Sequence, residues 1–287
     1  MGAADVVPGV SGGTVALVVG IYERLVGTIR LCAGAAGHLA RLDVAGARAR
    51  LAAVPWGFLL PLLAGIAAAF VTLARLIERL LEDHPVEVAA VFFGLVAASV
   101  WVALGYLKRP DARLVPVAVA SAAATFLLLG LRSGAADDPA LLAVFGAGAL
   151  AICAMILPGV SGSFILLMIG MYDHMLSALN DRDVVVAGVF IAGAALGLAL
   201  FSSVLDWTLR RFHDIVLAAL IGLMIGSLRV LWPWPAGTDS AALDAPPAGD
   251  WVLPLALALA AAAVVVAVGM LARRRAPAPP GAAASTR

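Results

Sequence analysis

The stretch LPLALALAAAAVVVAVGML at 253–271 contains no charged residue and no strong side-chain hydrogen-bonding group. A helix needs about 20 such residues to cross the hydrocarbon core of a bilayer. Six stretches of the chain qualify: roughly 57–79, 88–106, 113–131, 185–206, 215–232 and 251–271. Only 13% of the 287 residues are charged and the mean hydropathy is +1.05, whereas soluble domains run at about a quarter charged. The expected fold class is therefore an all-α polytopic membrane protein.

Several function classes fall away at once. A net charge of +1 gives no global field for nucleic acid. The two cysteines, Cys32 and Cys153, lie far apart, and the four histidines (His38, His84, His174, His213) form no ligand pair. No metal and no cofactor are expected. The start has neither a basic n-region nor a cleavage site, so no signal peptide is expected. The Pro/Ala-rich basic tail, 272–287, reads as a disordered cytoplasmic segment.

Two hexapeptides are out of place in such a chain. PGVSGG at 8–13 returns as PGVSGS at 158–163, each inside an apolar stretch, 1–22 and 140–172. The basic residues explain where these stretches sit. Fourteen of the 19 lie in 23–55, 107–113, 207–214 and the tail, while the other connections are acidic. Basic loops stay cytoplasmic. Walking the spans from both ends agrees only if 140–172 enters and leaves on the outer side as a re-entrant hairpin. By the same logic 1–22 is re-entrant from the cytoplasmic side, and the C-terminus is cytoplasmic. Residues 38–54 read equally as an interfacial amphipathic helix or a plain linker.

The hairpins head two copies of one unit. At an offset of 150, Pro8, Gly9, Val10, Ser11, Gly12, Leu17, Gly20 and Tyr22 recur as Pro158, Gly159, Val160, Ser161, Gly162, Leu167, Gly170 and Tyr172. At an offset of 128, Glu78 matches Asp206, Gly94 matches Gly222 and Ser99 matches Ser227. Repeat 1 is then 1–131, with hairpin 1–22, basic segment 23–55 and spans 57–79, 88–106 and 113–131. Repeat 2 is 140–271, with hairpin 140–172 and spans 185–206, 215–232 and 251–271. Three spans per repeat turn the second copy upside down, an arrangement recurrent in transporters. About 18 mostly apolar residues lead into Pro158 but only seven precede Pro8. A start codon placed too late is the preferred explanation, a trimmed limb the other.

The tips have anion-binding chemistry. Non-helical backbone at membrane depth must be buried in protein or line a wet cavity. Pro8 and Gly9, and Pro158 and Gly159, break the helix. Ser11, Gly12, Gly13 and Thr14, and Ser161, Gly162 and Ser163, then begin a new one, whose first N–H groups lack intrahelical partners and carry partial positive charge. A phosphate or carboxylate fits there without a lysine. The bland alternative is a helix kink whose serines satisfy freed carbonyls. Intramembrane charges are candidates for coupling or gating: Asp5, Glu23, Glu78, Arg79, Asp173, Asp206 and Arg210, with Arg75 also flanking Glu78 and Arg210 at ion-pair spacing from Asp206. Interfacial snorkelling and surface acids are the structural alternatives.

The segments GAADVVPGVSGGTVALVVGIYERL and MILPGVSGSFILLMIGMYDHML resemble the PopT-type polyprenyl-phosphate (undecaprenyl-phosphate) translocase family of bacterial and archaeal membrane proteins, over Gly2 to about Leu231. That resemblance implies a transporter in the bacterial inner membrane returning undecaprenyl phosphate from the outer to the cytoplasmic leaflet. Its partners would be the polyprenyl-phosphate lipid, the bilayer and a coupling ion, H+ or Na+. Two other classes compete. A small-anion secondary transporter would use the same half-helix ends. A membrane lipid-phosphate phosphatase, similar to the undecaprenyl-diphosphate phosphatases, would need an arginine after the motif serine, where Gly12 and Gly162 stand. No nucleophile–base pair is evident either, so an enzyme is not expected.

Overall fold

In a computed structural model, residues 1–5, 7, 10–131, 139–234, 243–247 and 249–275 are described, 273–275 by backbone only. They form helices and, among the described residues, no strand. The first half contains α1 (Gly2–Asp5), α2 (Gly12–Val19), α3 (Tyr22–Ala40), α4 (Val44–Ala52), α5 (Trp56–Asp83), α6 (Pro85–Leu104) and α7 (Leu114–Leu128). The second contains α8 (Leu141–Ile156), α9 (Gly162–Met168), α10 (Tyr172–Asn180), α11 (Val184–Arg211), α12 (His213–Ser227) and α13 (Val252–Arg275).

Four helices among the described residues are long and apolar enough to cross a membrane: α5, α6, α11 and Val252–Ala272 of α13. The bent pair α9–α10, with 111° between its helices, makes a fifth if counted as one span. α7 and α12 are apolar but have 15 residues each, or about 22 Å of helix. The apolar stretches 113–131 and 215–232 are therefore helical over only part of their length, with turns after the helices at 129–130 and 228–231. The arginine-rich segment differs from both expectations for 38–54. α3 runs on to Ala40, and a turn through Leu42 (φ 58°) leads into the separate α4.

Local chemistry sets the helix ends. Asp183 caps α11, its Oδ1 accepting from the N–H groups of Val185 and Val186 at 2.9 and 3.1 Å. Pro85 occupies the first turn of α6, where its missing N–H costs nothing. Asp43 caps α4 through Gly46 N–H at 2.8 Å and meets His38 Nδ1 at 2.8 Å. The Gly46 amide, then His38, hold the exposed Asp43 carboxyl below its ordinary range. A depressed carboxyl contributes stability that is complete above the ordinary carboxylate range and is lost as pH falls through the depressed value. Asp43→Ala is therefore expected to lower the protection of the α4 amides, measured against the intrinsic exchange rate, at neutral pH, and acid is expected to lower that protection in the wild type. Unchanged protection in both would remove the cap from the account.

Packing joins the two halves. α6 of the first half lies along α13 of the second and α7 along α12, while within the second half α8 lies along α11. Glycines bring these pairs to backbone contact. A Cβ on Gly94 would stand 2.0 Å from the Ala258 carbonyl oxygen, and one on Gly222 2.1 Å from that of Ala118. Gly193 and Gly148 do the same between α11 and α8, against Phe145 and Phe190. Small residues at crossings let lipid-embedded helices gain van der Waals contact, since hydrophobicity alone does not drive them together. The main core gathers Val7, Val10, Leu17, Val26, Ile221 and Met224 where α2, α3, α6 and α12 converge. α5 buries none of its residues; α1, one of its few neighbours, is four residues long.

Candidate functional site

The two hexapeptides meet in the core. Ser11, the N-cap of α2, donates through Oγ to the Met155 carbonyl at 2.9 Å and accepts from Gly13 N–H at 3.0 Å. Thr14 Oγ1 accepts from Gly159 N–H at 2.8 Å. Tyr22 OH donates to the Ile156 carbonyl at 3.1 Å. α8 thus ends with two of its last carbonyls capped by side chains from the other half, which satisfies groups a buried helix end would otherwise leave orphaned. Ser11, Thr14 and Gly12 are all buried. Pro8 and Gly9 lie outside the described residues.

The tips differ in what sits on their amides. Asp5 Oδ1 accepts from Gly12 N–H at 2.6 Å, so a carboxylate of the chain itself lies at the N-terminus of α2, where a negative charge is favoured. With Gly13 N–H on Ser11, both leading amides of α2 are taken. Offset by 150, the position of Asp5 is Met155. A Cβ on Gly162 would stand 2.7 Å from Met155 Cγ, just as one on Gly12 would stand 2.6 Å from Asp5 Oδ2. A thioether thus replaces the carboxylate. Ser161 and Ser163 bond each other through their hydroxyls at 2.8 Å, and no side chain caps α9. Among the described residues the Gly162 and Ser163 amides have no hydrogen-bond partner.

The candidate charges separate into two groups. Asp206 is buried on α11 and its Oδ2 accepts from Arg210 Nε at 2.9 Å and Arg30 Nη1 at 2.5 Å. Glu23 accepts from His213 Nε2 at 2.8 Å, and His213 Nδ1 meets Asp214 Oδ1 at 2.9 Å. Asp214 in turn accepts the N–H groups of Lys108 and Arg109 at 2.9 and 3.0 Å. These contacts tie α3, the α6–α7 connection and α12 together at one end of the bundle. By contrast Glu78, Arg79, Arg75 and Asp173 are exposed, and among the described residues they form no ion pair. Glu78 and Asp206 match in sequence but not in surroundings, because α11 packs along α8 while α5 buries nothing.

Against known proteins, the family described as undecaprenyl phosphate translocase-like matches residues 1–245. This chain belongs to that family. The polyprenyl-phosphate transporter of Vibrio cholerae serotype O1 is 41% identical over 235 residues, which cover 82% of this chain and 75% of that protein. The polyprenyl-phosphate transporter of Staphylococcus aureus is 28% identical over 250 residues, covering 81% and 83%. No solved structure matches. The family's name is that of a translocase and both relatives are named as transporters, not enzymes.

Sequence reasoning passed over Arg30, His213 and the hydroxyl of Tyr22. Tyr22 left a trace, its recurrence as Tyr172. Arg30 and His213 left none, since each finds its carboxylate 176 and 190 residues away.

Proposed function

We propose that this chain returns polyprenyl phosphate, undecaprenyl phosphate in a bacterial inner membrane, from the outer to the cytoplasmic leaflet. Its phosphate would be received where the two Pro-Gly-Val-Ser-Gly tips meet. Family membership across residues 1–245 carries this reading. The open Gly162 and Ser163 amides are the first landing place, because no resident carboxylate competes there. At the first tip Asp5 occupies the position a substrate oxygen would take. Movement or protonation of Asp5 would free the Gly12 amide, which makes Asp5 the coupling candidate and H+ the simpler choice over Na+.

In this reading the halves are inverted repeats, each a re-entrant hairpin followed by three spans, with six spans in all and a cytoplasmic C-terminus. Paired features support it. Gly94 and Gly222 make the same kind of close crossing. Ser99 and Ser227 are both fully buried. Gly20 and Gly170, each before the shared tyrosine, both have positive φ, 77° and 73°. The second span of each half packs on the third span of the other, α6 on α13 and α12 on α7, as a two-fold exchange requires. Cysteine labelling next to Asp137 and Asp181 tests the topology, and finding those sites on opposite faces would sink the re-entrant hairpin.

The functional test is reconstitution into vesicles containing labelled undecaprenyl phosphate, with access measured at each face. Ser11→Ala together with Ser161→Ala is expected to slow translocation by about tenfold, the scale of one or two hydrogen bonds. Unchanged translocation would remove the tips as the phosphate site. Release of inorganic phosphate would make the protein a phosphatase, and transport of a small anion alone would favour that alternative.

A further inference from the structure

At the same end as the His213 cluster lies a cavity of about 330 Å³, room for about ten water molecules at liquid density. Four arginines from three helices line it: Arg24 and Arg30 of α3, Arg50 of α4 and Arg210 of α11. Arg30 and Arg210 are ion-paired to Asp206. The side chains of Arg24 and Arg50 have no carboxylate or hydrogen-bond partner among the described residues. The guanidinium of Arg24 is instead set over the Phe58 ring, 4.3 Å from its centroid. Glu23 is the one carboxylate among the described lining residues, and it is engaged by His213. Against the four guanidinium charges stand Asp206 and Glu23, so a surplus of positive charge faces the cavity.

We infer that this cavity is a second anion site, distinct from the hairpin tips, which binds a phosphate monoester through Arg24 and Arg50, with Arg30 and Arg210 completing it when they leave Asp206. Guanidinium groups hold phosphate oxygens in paired, charge-assisted hydrogen bonds. A monoester dianion bears enough charge to exchange with the single carboxylate of Asp206. The cavity also has a route to the tips. A neighbouring cavity of about 450 Å³ shares Glu23 and Arg24 with it and reaches Leu17, Gly20 and Tyr22. Tyr22 is the residue whose hydroxyl touches the end of α8. The arginine cavity is thus the station where a phosphate head that has passed the tips is held at the arginine-rich end before release. As a step in transport, this rests on the polyprenyl-phosphate reading above.

The test uses the purified full chain in detergent and measures equilibrium binding of farnesyl monophosphate and of inorganic phosphate, with phosphatidylglycerol as competitor. Arg24→Gln with Arg50→Gln is expected to weaken farnesyl monophosphate binding by about tenfold or more, as lost guanidinium–phosphate pairs do. Arg113→Gln, loss of one such charge at an exposed position, is expected to leave it within about twofold. Asp206→Asn is expected to tighten binding by freeing Arg30 and Arg210, the opposite of what loss of a merely structural pair would do. Arg24→Lys with Arg50→Lys restoring only part of the affinity separates guanidinium geometry from charge. Competition by inorganic phosphate shows that the head is recognised, and no competition shows that the prenyl chain is needed as well; either supports the site. Equal effects of the paired glutamine variant and Arg113→Gln overturn the proposal, as does phosphatidylglycerol competing as well as farnesyl monophosphate. The vesicle assay keeps the two claims apart. A wild type that moves no polyprenyl phosphate ends the parent reading, whereas one that moves it while the paired variant binds normally ends only this inference.

Discussion

Gly159→Ala is expected to abolish most translocation, while Gly188→Ala behaves as the wild type. Gly159 has φ +86°, a region that costs an L-residue about 1–2 kcal/mol. The added methyl would also stand 2.9 Å from the Met224 Cα and 2.8 Å from Ser227 Oγ. A serine hydroxyl can swing aside, but helix backbone cannot, and overpacking of this kind costs about 1–3 kcal/mol more. The tip must then move, and with it the Gly159 N–H that bonds Thr14 at 2.8 Å. The functional loss should exceed the stability loss, because this bond is where the second tip is held against the first. A Cβ on Gly188 meets nothing within 4 Å, so it controls for glycine removal from an apolar helix. Parallel measurement of vesicle translocation and thermal unfolding decides the matter. A fully active Gly159→Ala protein would show that transport does not depend on this tip geometry.

The second large effect is on stability. Gly94→Ala and Gly222→Ala are each expected to lower the unfolding temperature in detergent, at a cost of about 1–3 kcal/mol apiece. The clashing atoms are the Ala258 and Ala118 carbonyl oxygens, at 2.0 and 2.1 Å from the added methyl. Both belong to helix backbone, so the only relief is for α6 to part from α13, or α12 from α7. Lipid-embedded helices have little besides close contact to hold them together, so parting them removes much of what joins the two halves. The double variant should show the sum of the single effects, since the substitutions act in different helix pairs. An unchanged unfolding temperature for either single variant would mean that its helix pair does not cross so closely.

Much of this was legible in the chain. Apolar stretches of span length announce helices in lipid whatever their partners, so the positions of α5, α6, α11 and α13 follow from hydropathy. The helix starts at Ser11 and Asp183 rest on side chains two or three residues from the amides they cap. The match of Gly94 with Gly222 singled out two positions that both prove to be close crossings. The length of 215–232 was not legible, because an apolar residue suits a buried turn as well as a buried helix. The break at 41–43 was passed over although it carried a local signal, Asp43, three residues before the Gly46 amide that it caps.

The sequence by itself determined the membrane class, the repeated breaks and the residues present at each tip. It could not say that Ser11 and Thr14 would be spent on the opposite tip, 144 and 145 residues away. Nor could it say that Asp5 would lie on the Gly12 amide while Met155 stands at the matching place beside Gly162, or that Asp206 would gather Arg30 as well as Arg210. Helix formation and capping are local, fixed by a few neighbouring residues and the lipid around them. Which amide is taken and which cation is left over depends on distances between helices, and only tertiary packing sets those.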